Sequence, residues 1–208
     1  MKPTRFDTRR FDARRFDNAW QRYVAKATDL HPPFEDFLAG GASETDLIEA
    51  ERIIGIALPD DLRHLLKLHD GSQGYQALPG WELLSSEGII SEWTIWEDLY
   101  RSEFKPEGYE SEPSGPIRSD EWWRLKWIPF TRDGGGNCLC VDMAPAAGGT
   151  KGQVITLWHD NPGRELIAPS LTEFVEILAE DMEDGKLVWD EEWGSFREPL
   201  EDGVGGAE

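Results

Sequence analysis

The chain has 208 residues, 39 % of them hydrophobic and ten of them tryptophan, enough for one domain with a sizeable core and aromatic rings to spare. Its formal net charge of −20 excludes the basic surface that nucleic-acid phosphates require and points to a basic protein as partner. There is no signal peptide and no long apolar run, so a cytoplasmic location without membrane attachment is expected.

The charge is uneven. Up to Lys26, eight Lys and Arg residues face three Asp, a net +5, which leaves −25 for the remainder. Residues 5–17 repeat the unit Arg-Phe-Asp at Arg5, Arg10 and Arg15. A period of five suits neither helix nor strand, so residues 1–17 are expected to be a low-complexity, disordered basic head. Asn18 is the candidate cap of a first helix reaching about Thr28, with Trp20, Tyr23, Val24 and Ala27 on one stripe. His31-Pro32-Pro33 breaks it.

Ser43 with Asp46 opens a second helix whose buried stripe is Leu47, Ala50, Ile53 and Ile54, closed by Gly55. Leu58-Pro59-Asp60-Asp61-Leu62 starts a third, with Leu62, Leu65, Leu66 and Leu68 facing inward. A short strand falls between Gln76 and Leu84. Ser85 or Ser86 then caps a helix to about Phe104, and the proline- and glycine-rich residues 105–119 read as a loop.

Trp127–Met143 is the centre of the chain. Two strand-forming runs flank Asp133-Gly134-Gly135-Gly136-Asn137, whose residues tolerate the positive φ of a hairpin connection. Alternation places Leu139, Val141 and Met143 on one face and Cys138, Cys140 and Asp142 on the other. The two thiols are badly placed for a relaxed disulfide, which agrees with a reducing compartment. Val154–Trp158 and Glu165–Ala168 are further strands. Ser170 with Glu173 caps a last long helix ending at Gly185. Residues 18–198 are therefore expected to form one domain, and 199–208 a disordered acidic tail.

The ordered set of signals resembles the SUKH superfamily, which groups the Smi and Knr cell-wall-assembly regulators, the Syd proteins and many bacterial immunity proteins. It is carried by Leu58-Pro59-Asp60-Asp61-Leu62, Asp70-Gly71, Gly80-Trp81-Glu82-Leu83-Leu84, Trp127-Ile128-Pro129-Phe130, Asp133–Asn137 with Leu139 and Asp142, Gly152–Ile155, and the helix from Ser170. These span roughly residues 43–186. The Arg-Phe-Asp head, the proline-rich insert before Trp122 and the acidic tail depart from the usual compact pattern. The resemblance implies an α+β fold, with N-terminal helices packed on a twisted antiparallel sheet and a closing C-terminal helix. It also implies a non-enzymatic binding module. The relatives that neutralise secreted toxins make an immunity protein, occluding a toxin nuclease or deaminase domain, the first functional expectation. A regulatory scaffold in envelope assembly is the alternative.

Residue chemistry agrees with a binding module. The glycine run lacks the Gly-Lys-Ser/Thr and following helix of a phosphate loop. His31, His64, His69 and His159 make no metal spacing with the two cysteines, and no serine sits in a nucleophile elbow, so neither cofactor nor metal is expected. The carboxylates and tryptophans keep a carbohydrate-binding protein in view. Trp81, Asp133, Asp142, Trp158 and Asp160 are the candidate partner contacts, indoles among acids near turns.

Overall fold

The computed structural model describes residues 11–199. It opens with α1, Ala13–Leu30, followed by a 3-10 turn, Pro32–Phe37. Asp12 caps α1 by accepting a bond from Arg14 N at 3.0 Å. The helix thus starts before Asn18, and the last Arg-Phe-Asp unit belongs to the folded domain rather than to a disordered head. Phe16 is buried, while the first ten residues lie outside the described part. Helix α2, Glu44–Ile54, begins at the expected Ser43–Asp46 capping box and ends at Gly55 with φ +67°. Ile53, expected inside, is exposed. Helix α3, Asp60–Leu68, follows Pro59 and carries Asp60 and Asp61 at the positive end of its dipole.

Strand β1, Glu82–Leu83, leads to α4, Ser86–Leu99, capped by Ser85. A wide π-type turn, Tyr100–Phe104, and a single helical turn α5, Lys105–Glu107, continue it. The residues 105–119 read as a loop also supply β2, Glu112–Ser114. Then come β3, Trp127–Pro129; β4, Thr131–Arg132; β5, Cys138–Asp142; β6, Gln153–Leu157; and β7, Gly163–Ala168. Helix α6, Leu171–Glu183, is capped by Ser170 and, across the structure, by Asp61, whose Oδ2 accepts from Thr172 N at 3.3 Å. A terminal hairpin, β8 Val188–Asp190 with β9 Ser195–Arg197, completes the fold.

The main sheet has the order β2-β7-β6-β5-β3. All neighbours are antiparallel except β2, which runs parallel to β7, so the expected antiparallel sheet is mixed. The expected hairpin is present, with Trp127 opposite Asp142 and Pro129 opposite Cys140. Pro129 lies on an edge strand, where its missing N–H costs no ladder bond. At Phe130 the chain leaves this sheet and passes, as β4, to a small ribbon with β1. Every residue of β5 and β6 is buried, so both faces of the sheet's middle are covered.

Helices α1 and α6 are the most extensive helix pair. Arg15 meets Glu176 and Arg22 meets Glu183, each side advancing seven residues, so the two helices run parallel and in register. The basic start of the chain, as far as it is described, folds back on the acidic body.

Candidate partner-binding face

At one end of the sheet the β1–β4 ribbon, the glycine hairpin and the end of β6 converge. Leu78 and Trp81 bridge in both directions, Leu78 N to Trp81 O at 3.0 Å and Trp81 N to Leu78 O at 2.9 Å. Pro79 and Gly80 form the turn between them. Gly80 takes φ +77°, which a side chain would resist, and its N–H donates to Ser195 Oγ at 2.9 Å. The turn delivers Trp81 to Trp158, the residue after β6, with ring centres 6.1 Å apart. Both indoles are half-buried. Glu82 and Arg132 pair across the adjoining ribbon, Arg132 Nε donating to Glu82 Oε2 at 2.6 Å.

The glycine loop is closed around its own carboxylate. Asp133 Oδ1 accepts from Gly135 N at 2.7 Å and Asn137 N at 3.0 Å, and Oδ2 accepts from Asn137 Nδ2 at 2.6 Å. Burial pushes the Asp133 carboxyl up, but the bonds from Asn137 and the backbone outweigh it and hold it below the usual range. The Gly135 and Asn137 amides are thus turned inward onto Asp133. Asn137 Oδ1 in turn accepts from His159 N at 3.0 Å. A Cβ on Gly136 would come within 3.3 Å of the His159 ring, so glycine there permits the loop to close on β6.

Four of the five candidate contacts therefore meet at this end of the molecule: Trp81, Trp158, Asp133 and Asp160, whose side chain is 75 % exposed beside His159. Asp142 does not belong with them. It is fully buried, its Oδ1 accepting from Ala144 N at 2.9 Å and its Oδ2 from Gln153 Nε2 at 3.1 Å. Strand alternation predicted its face but not that this face is covered. Burial raises its carboxyl. Sequence reading also missed Arg132 and His159, which only the ribbon pairing and the loop closure bring here. No cluster of His, Cys, Asp and Glu suited to a metal occurs among the described residues.

The fold and this face define an α+β domain that offers a rigid aromatic and acidic surface. The family model of the SMI1 / KNR4 family (SUKH-1) matches residues 41–177, and the chain belongs to that family. It is similar to a "Glucan synthesis regulatory protein" of Neurospora crassa, 29 % identical over 86 % of this chain and 41 % of the relative. It is similar as well to the "Cell wall biosynthesis/cell cycle regulator smi1" of Schizosaccharomyces pombe, 30 % identical over 86 % of this chain and 38 % of the relative. The "Cell wall assembly regulator SMI1" of Saccharomyces cerevisiae is 22 % identical over 80 % of this chain and 40 % of the relative. The chain spans about two-fifths of the length of these curated relatives.

Proposed function

We propose that the chain is a non-catalytic regulatory module of cell-wall glucan assembly that works by binding a basic protein partner in the cytoplasm. The observation that carries this reading is the family membership together with regulators of wall and glucan synthesis among the relatives. The proposed binding surface is the Trp81–Trp158 pair with Asp160 beside it. An indole such as Trp81, held by a two-way backbone bridge, loses little entropy on docking, and a net charge of −20 steers a cationic partner toward the pair. These relatives' names favour a regulator over the toxin-blocking immunity protein, which stands second on the superfamily resemblance and the acidity.

The test is disruption of the gene in its own organism with wall glucan as the readout. Glucan content is expected to change on disruption, to return with the unaltered chain, and not to return with Trp81→Ala combined with Asp160→Lys. Unchanged glucan content after disruption, or full rescue by the double variant, would overturn the reading.

A further inference from the structure

A second aromatic surface lies where the segments on either side of the family match meet Tyr75, which is inside it. Phe37, from the 3-10 turn after α1, carries the Tyr75 ring stacked on it at 4.3 Å and 6°. His31 stacks on Trp189 of β8 at 3.8 Å and 20°, and lies 5.4 Å from Phe37. These rings form one continuous ledge. Tyr75 is 50 % exposed, His31 and Trp189 are half-buried, and Glu35 and Asp36 stand exposed on the same turn as Phe37.

The way Tyr75 is presented sets this surface apart from incidental exposure. Its turn passes through Gln73, the one described non-glycine residue with positive φ, +55°. Such a conformation is costly for a residue with a Cβ and persists only where the surroundings impose it. Here the Gln73 side chain donates to Asp36 O at 3.1 Å, and Ser72 Oγ donates to Tyr75 O at 2.5 Å. The strained turn is thereby pinned to the same 3-10 segment that supplies Phe37 and the two acids.

We infer that this ledge is a docking site for an extended, arginine-rich segment of a protein partner. Stacked rings with acidic residues exposed on the adjoining turn suit guanidinium groups, which lie flat on an aromatic face and pair with a nearby acid. The protein does this internally at the same corner, where Arg197 lies 5.7 Å over the Trp193 ring and pairs with Asp190 at 3.0 Å. Charge selects the occupant, since an acidic body attracts such a segment and repels an acidic one. The inference goes beyond the regulatory reading by adding a surface away from the indole pair.

The test is titration of the full chain with a synthetic peptide alternating arginine and proline, followed by tryptophan fluorescence and calorimetry. Binding is expected to weaken with salt and to fall about tenfold in Tyr75→Ala. It should be retained in Tyr75→Phe and in a control at exposed Ile95, and lose part of its salt dependence in Glu35→Gln combined with Asp36→Asn. Near-UV circular dichroism checks that each variant is folded. No binding, binding indifferent to a folded Tyr75→Ala variant, or binding of a β-glucan oligosaccharide in place of the peptide would overturn the inference. The Tyr75 variants leave Trp81 and Asp160 in place, so indifference of peptide binding to them leaves the wall-glucan result unaffected, and the reverse.

Discussion

The Arg164 guanidinium lies 5.1 Å from the centre of the Trp122 ring, fully buried, and among the described residues no carboxylate pairs with it. Backbone carbonyls take its protons. Nη1 donates to Asn161 O at 2.6 Å and Gly163 O at 2.7 Å, and Nη2 to Trp122 O at 2.9 Å. Burial pulls its pKa down, to about 10, still cationic at neutral pH. One side chain thus ties the insert before β3 to the start of β7.

Arg164→Ala removes a fully buried side chain and leaves three partly buried carbonyls without this donor, and is expected to cost about 3–5 kcal/mol in urea unfolding. Arg164→Lys keeps the charge but cannot reach both sets of carbonyls, and should cost about 1–3 kcal/mol. Equal stability of both variants and the parent would remove this residue from the account.

Helix α1 offers a contrast of magnitudes between its two sides. Phe16 is fully buried, so Phe16→Ala should cost about 3–5 kcal/mol. Arg15→Ala breaks a partly exposed ion pair and should cost about 0.2–1 kcal/mol, less at high salt, and Arg22→Ala, whose pair is open to water, should cost less than Arg15→Ala. Thermal unfolding of the three variants at two salt concentrations measures the difference.

Stability should respond to pH in opposite senses at two aspartates. The raised Asp142 carboxyl binds more protons folded than unfolded, so stability is lost as pH rises from about 4 through its folded pKa. Asp142→Asn removes that loss, so the variant should gain on the parent between pH 4 and pH 7. The lowered Asp133 carboxyl contributes above about pH 4 and loses its contribution as pH falls. Asp133→Ala should accordingly cost about 1–3 kcal/mol at pH 7 and less at pH 3. Urea titrations across this range decide both.

Cys138 and Cys140 are fully buried and burial pushes both thiols up, so neither is a nucleophile in the folded chain. A chromogenic disulfide reagent should find no reactive thiol in the native protein and two after denaturation. Rapid native labelling would contradict the packing of β5.

Much of this architecture was legible in local chemistry. Ser43, Ser85 and Ser170 cap the helices they announce, and the glycine run turns the hairpin because Asp133 and Asn137 flank it. What escaped was set by partners distant in sequence. The period-five repeat hid a helix because Arg15 and Phe16 gain their meaning only from α6 and the core. Strand β2 could not be read from Glu112-Pro113-Ser114, which has no strand pattern and is defined by pairing with β7. Asp142 was misplaced because alternation gives a side but not what covers it. The indole pair was foreseen as two residues, while their meeting depended on the Leu78–Trp81 turn.

The parallel clasp of the first and last helices has a biosynthetic consequence. Arg15 and its acceptor Glu176 are 161 residues apart, and at about 5–20 residues per second a ribosome takes roughly 8–30 s to bridge that interval. Through that time the face of the emerging α1 that carries Arg15 and Arg22 must wait for the helix it packs against, while Phe16, Trp20 and Tyr23 on its other side can already meet His64, His69 and Phe34. Nascent chains stalled before α6 should therefore be the form that chaperones hold longest.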